Sequence, residues 1–118
     1  MFSDEDRTRE WVLDIIEHSD LIASYIAGLT FEQFETQTMV RQAVERCLLN
    51  ISEAAVRLDE ARFAAVAPDL PLHQLRGFGN VLRHEYERVN SRIVWDTAIV
   101  DVPALRAACA AAVGQGEG

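Results

Sequence analysis

The sequence predicts an all-α domain, a four-helix up-and-down bundle with one short extra helix. Three observations carry this. Apolar residues recur at three- and four-residue intervals over long stretches, which is the helical period. Turn formers are scarce, with three prolines and six glycines in 118 residues and three of those glycines among the last five. An all-β sandwich needs a turn about every 8–12 residues. Finally, cap-type residues stand where the periodic stretches begin. Nearly half the residues are apolar (49%), enough for a single core in a chain of this length. The expected organisation is one domain over residues 1–113 and a disordered tail over 114–118.

The first periodic segment spans about Ser3 to Ala27. Ser3 or Asp4 can cap it, acidic residues fill its first turn, and Gly28 is a natural stop. Trp11, Ile15, Ile22 and Ile26 form its apolar stripe, with Val12 and Tyr25 beside them. Thr30-Phe31-Glu32-Gln33 has the spacing of a capping box and starts a short turn. A second long helix is expected from about Thr36 to Leu58, with a stripe of Met39, Ala43, Cys47, Ile51 and Ala55 flanked by Val40, Val44 and Leu48. Pro68 and Pro71 require a break, after which a third helix runs from about Leu72 to Val89. Ser91 is expected to cap a fourth, containing Ile93, Val94 and Trp95. Asp101-Val102-Pro103 should break and re-cap the chain, with Pro103 in the first turn of a last helix over Ala104 to Val113. Trp11 and Trp95 read as core or interface anchors.

Charge and cysteine content narrow the function classes. The net charge is −8, from 11 basic and 19 acidic residues, which argues against general nucleic-acid binding through phosphate neutralisation. The distribution is uneven. All basic residues are arginine, and between Arg76 and Arg92 four of them stand against Glu85 and Glu87. Arginine suits bidentate pairing with carboxylate or phosphate, although genome base composition equally produces such usage. Cys47 and Cys109 read as buried thiols, since two cysteines build no disulfide framework. With only His18, His73 and His84 besides, and no paired spacing, no zinc site is expected. His18 and His73 read as surface or satisfied histidines. The acidic N-terminus lacks the plan of a signal peptide, and no apolar run approaches the roughly 20 residues of a membrane span. A soluble cytoplasmic protein without a membrane partner is expected.

The third helix has two faces. At about 100° per residue, Leu75, Phe78, Leu82 and Val89 gather on one side, and His73, Arg76, Asn80, His84 and Arg88 on the other. One account is a solvated face with i,i+4 pairs such as Arg83–Glu87. The other is convergence on a phosphodiester. A histidine near its ordinary pKa moves a proton at neutral pH while arginine binds phosphate oxygens, chemistry that needs no metal.

The run Pro71-Leu72-His73-Gln74-Leu75-Arg76-Gly77-Phe78-Gly79-Asn80-Val81-Leu82-Arg83-His84-Glu85-Tyr86, with Val89-Asn90 and Ile93-Val94-Trp95 after it, resembles the HepT-like branch of the HEPN superfamily. So do Gln42-Ala43-Val44-Glu45-Arg46, Ile51-Ser52-Glu53-Ala54-Ala55 and Asp101-Val102-Pro103-Ala104-Leu105, in the family's order over roughly residues 4–108. The resemblance implies a HEPN-like helical homodimer that is a metal-independent endoribonuclease and the toxin of a bacterial toxin–antitoxin pair. Its antitoxin would be an MntA-like nucleotidyltransferase that silences it by transferring AMP to a tyrosine. By the same resemblance His84 matches the catalytic histidine, Asn80 the polar motif position and Tyr86 the modified tyrosine. Arg76, Arg83 and Arg88 then offer phosphate or RNA contacts, and no cofactor is implied.

The departure is Gly79, which stands where the family motif has arginine. Glycine inside a helix costs on the order of 1 kcal/mol against alanine. Either a natural member has lost its phosphate-binding arginine, or a toxic protein was disarmed by substitution. Positions 79 and 84 lie about 140° apart on an ideal helix, so a site assembled across a two-fold axis is expected, with Asn80 and His84 of both chains lining one cleft. Two other readings stand beside the nuclease. One is a non-catalytic HEPN-fold module that docks a nucleotidyltransferase or RNA, and the other an unrelated helical interaction domain.

Overall fold

The structure, a computed structural model, describes residues 4–58 and 90–117. Every element among them is helical: α1 (Asp4–Ile26), α2 (Phe31–Thr36), α3 (Thr38–Arg57), α4 (Ser91–Asp96), a π-helical turn (Thr97–Asp101) and α5 (Val102–Glu117). The fold is all-α, as the periodicity predicts. The expected third helix, 72–89, lies outside the described residues.

α1 ends as its sequence dictates. Gly28 takes φ +76°, the left-handed region that costs an ordinary residue roughly 1–2 kcal/mol, and a Cβ there would touch nothing. The constraint on Gly28 is therefore backbone conformation, not space. The Leu29 N–H donates to the Ile26 carbonyl at 3.0 Å, and the chain turns into α2. The capping box forms in full: the Gln33 N–H donates to Thr30 Oγ1 (3.2 Å) and the Thr30 N–H to Gln33 Oε1 (2.9 Å).

α2 and α3 are separate helices, parted at Gln37, so the second long helix begins two residues later than expected. The Gln37 N–H still closes onto the carbonyls of Gln33 and Phe34. The break is a local change at one residue, without proline or glycine to announce it. On α3 the buried face is Val44, Cys47, Leu48, Ile51, Ser52, Ala54 and Ala55. Met39, placed by spacing in that stripe, is 85% exposed. A row taken every four residues precesses by about 40° per step, so its far end has left the core-facing side.

The core joins α1, α3 and the C-terminal helices. Val12, Ile15 and Ile22 of α1 are buried against this face, Trp11 and Ile26 are partly buried, and Tyr25 is exposed. Cys47 and Cys109 are free and buried, as expected. α2 reaches the C-terminal part through aromatic contacts. Trp95 lies with its ring centroid 5.2 Å from Phe34 and 6.2 Å from Phe31. Phe34 is fully buried.

The C-terminal region differs from expectation in three ways. Asn90, not Ser91, caps α4, accepting from the Arg92 N–H at 2.7 Å. Asparagine's carboxamide is the better placed acceptor when it precedes the first turn, and Ser91 becomes the first helical residue. Next, Asp101-Val102-Pro103 does not break the chain. The helix continues through a π turn in which the Val102 N–H reaches the Thr97 carbonyl. Pro103 cannot donate to the carbonyl four residues back and its ring crowds that group; a wide turn just before it relieves the clash without ending the helix. Finally, α5 extends to Glu117, past Gly114, since a glycine's cost of about 1 kcal/mol does not forbid helix.

The stretch Ser91–Gly114 is 24 residues with a mean hydropathy of 1.4 in its most apolar window, long and apolar enough by composition to cross a membrane. It is longer than any apolar run the sequence was expected to hold, and 22% of that window is buried. Val94, Trp95, Ala98, Val102, Leu105 and Cys109 form its buried stripe.

Phe34 fills the junction of α2 with the C-terminal helices. Phe34→Ala is expected to destabilise the chain by about 3–5 kcal/mol, read as a lowered urea midpoint at constant slope.

Candidate functional site

Arg76, Gly79, Asn80, Arg83, His84, Tyr86 and Arg88, the residues singled out by the sequence, all lie outside the described residues, as does His73. The structure describes the frame to which that segment is attached. On its N-terminal side Leu58 is 1% exposed, and its N–H donates to the Ala54 carbonyl at 3.2 Å. On its C-terminal side Asn90 caps α4. Both flanking residues are thus held in place, Leu58 by burial and a backbone hydrogen bond and Asn90 by its capping role.

Polar contacts surround the start of α4. Ser91 Oγ donates to Glu35 Oε2 at 3.3 Å, and Arg41 Nη1 donates to the Glu35 carbonyl at 2.8 Å. Arg41 Nε lies 3.7 Å from Glu45 Oε2. A polar path therefore runs from the start of α4 across α2 onto one flank of α3. Burial pushes the Glu45 carboxyl up from its ordinary range, and the Arg41 charge offsets part of this. No sequence signal joined Ser91 to Glu35, because the two are 56 residues apart.

Arg92 is the described member of the basic run. Its guanidinium lies 4.8 Å from the centroid of Phe31, and its Nε is 3.3 Å from Asp96. An exposed cation–π contact is worth about 0.5–1 kcal/mol, and the i,i+4 carboxylate offsets the charge. Sequence counting registered Arg92 as one positive charge among four; the structure shows it occupied by neighbours on α2 and α4. On α5, Arg106 pairs with Asp20 of α1 at 3.0 Å, and that hydrogen bond and charge raise the guanidinium's pKa.

The remaining chemistry-bearing groups are quiet. Burial raises both thiols, Cys109 to about 11, so neither is a ready nucleophile near neutral pH. Among the described residues no group of three or more His, Cys, Asp or Glu side chains could hold a metal ion. His18, read as a surface or satisfied histidine, is half-buried with Nδ1 sealed from solvent and without a hydrogen-bond partner among the described residues.

The family model described as "Ribonuclease HepT-like" matches residues 15–112. The chain belongs to the HepT-like ribonuclease family. A protein of Methanocaldococcus jannaschii named as a candidate RNase is 29% identical to it over 98 residues, covering 83% of this chain and 80% of the relative. The Thermococcus cleftensis protein called "Probable ribonuclease HepT" is 29% identical over 98 residues, covering 83% and 88%. A second candidate RNase of M. jannaschii is 32% identical over 95 residues, covering 80% and 78%. No solved structure matches the chain significantly. The HepT-like match contains the whole segment between Leu58 and Asn90 together with both of its anchors.

Glu45 gives this frame a pH dependence of known sign. Folding raises its pKa from 4.5, so the native state holds the proton more tightly than the unfolded chain. That contribution is present below the unfolded value and lost as pH rises through the folded one. Glu45→Gln is expected to raise the urea midpoint near neutral pH, with the gap to the parent closing toward about pH 4. A gap independent of pH would show that the carboxyl's ionisation is not the cause.

Proposed function

We propose that this chain is the ribonuclease toxin of a toxin–antitoxin pair, cutting RNA without a metal through His84. The observation that carries the reading is the HepT-like match over residues 15–112, within which Asn80, His84 and Tyr86 keep the family's motif spacing. His84 takes the proton of a ribose 2′-OH or returns one to the leaving 5′ oxygen, and the cut leaves a 2′,3′-cyclic phosphate. Both roles suit an imidazole that titrates near neutrality. The site is shared by two chains, with Asn80 and His84 from each lining one cleft, and Arg76, Arg83 and Arg88 contact the RNA backbone. The nuclease unit is a homodimer that acts in the cytoplasm.

Gly79 lowers the activity of this copy. Developing negative charge on phosphorus needs a donor fixed in place, and losing one such group commonly costs about 10²–10³ in rate. The same glycine favours a second reading, a HEPN-fold module that binds its partner or RNA without cutting. One substitution separates them. Gly79→Arg is expected to cleave RNA and arrest growth, and adding His84→Ala should abolish both effects. A harmless revertant that leaves RNA intact would overturn the nuclease reading.

The partner is an MntA-like nucleotidyltransferase that silences the toxin by transferring AMP to the Tyr86 hydroxyl. Incubation with that partner and ATP should add the mass of one adenylyl group per chain, and Tyr86→Phe should block the addition. An unchanged intact mass of the parent chain would exclude this mode of silencing.

A further inference from the structure

One face of the C-terminal helices carries a pattern that can be read from the described residues alone. α1 and α5 part beside the π turn to leave an open cleft of about 170 Å³, with Ala23, Ala98, Val102 and Pro103 on its apolar walls and Asp20 and Arg106 at its rim. Ser19 also lines it, but its hydroxyl is committed to the Ile15 carbonyl at 2.7 Å. The cleft therefore suits an aliphatic side chain better than a polar ligand. Next to it stand Ile99 and Val100, 42% and 62% exposed. Exposed Ala104, Ala107 and Ala111 extend the surface along α5. Scattered exposed apolar residues are ordinary, but a contiguous set beside a cleft marks a contact surface.

The charges point to the occupant. The chain carries −8 overall, yet between Thr97 and Gly114 its only charged residues are Asp101 and Arg106. At the rim, Asp20 and Arg106 sit side by side, with Nε 3.0 Å from Oδ1. A two-fold axis through this face would set each Arg106 against a second Asp20, giving an alternating ring of four charges. It would also place the aliphatic knob of one chain over the hole of the other. Knob, hole and both signs of charge on one patch satisfy the self-complementarity of an isologous contact. A nucleic acid or an acidic partner would find no net positive charge here.

We propose that this face pairs with the same face of a second copy, with Ile99 of each chain seated in the α1–α5 cleft of the other. The residues of this contact, Asp20, Ala23, Ile99 and Arg106, are none of those that the nuclease reading assigns to its cleft. Two measurements test it. Ile99→Asp, at an exposed position, is expected to halve the mass measured by light scattering. For the second, Ile99→Cys and Ala23→Cys chains carrying tags of different length are mixed and treated with copper–phenanthroline. A covalent heterodimer is expected on a non-reducing gel, since Cys47 and Cys109 are buried. An unchanged mass, or no heterodimer, would overturn the proposal. Neither readout involves RNA, so this contact and the nuclease reading fail independently.

Discussion

The packing of Trp95 against α2 is the constraint that fixes how α2 and the start of α4 sit on the core. A six-residue helix such as α2 has no stability of its own in water, and these aromatic contacts tie it to the C-terminal helices, which also pack directly on α1. Phe34 packs on Trp95 from inside the core, Phe31 approaches it edge-on, and Arg92 covers the outer face of Phe31. The polar contacts sort themselves around this cluster. Ser91 reaches back to Glu35, and Arg41 closes onto the carbonyl of the same residue. Because the indole stands shortly after Asn90, the cluster also holds the capped start of α4 in place.

The second organising feature is the wide turn at Thr97–Asp101. It lets one helix run from Ser91 to Glu117 despite Pro103, and keeps Val94, Ala98, Val102, Leu105 and Cys109 on one buried stripe. The same adjustment turns Ile99 and Val100 outward. A backbone accommodation to one proline thus sets both which residues build the core and which are left on the surface.

Much of this architecture is legible in the sequence, for identifiable reasons. The bounds of α1 follow from an acidic first turn and a glycine that takes positive φ. The capping box at Thr30 follows from two residues at fixed spacing. Both signals are local, so tertiary context has little opportunity to override them. The misplacements share the opposite character. The break at Gln37 has no proline or glycine to mark it, and Met39 fell into the stripe because a four-residue row drifts around the helix. Pro103 signals a break by local rules, yet the buried stripe on both sides of it keeps the helix continuous. The candidate site is legible in another way. The spacing of Asn80, His84 and Tyr86 supplies family and chemistry, and the family match supports the family; the described residues supply only the anchors, Leu58 and Asn90. Gly79 stays the one position where pattern and chemistry disagree.

The central physical claim is that Trp95 and its phenylalanine neighbours belong to the same cooperative unit as the long helices. Trp11→Phe leaves Trp95 as the only tryptophan of the two in the chain, and its emission can then be followed through urea beside the helical circular dichroism. Two-state cooperativity predicts superimposable curves with one midpoint. Emission shifting to that of a solvent-exposed indole at lower urea, while helix content persists, would contradict the account.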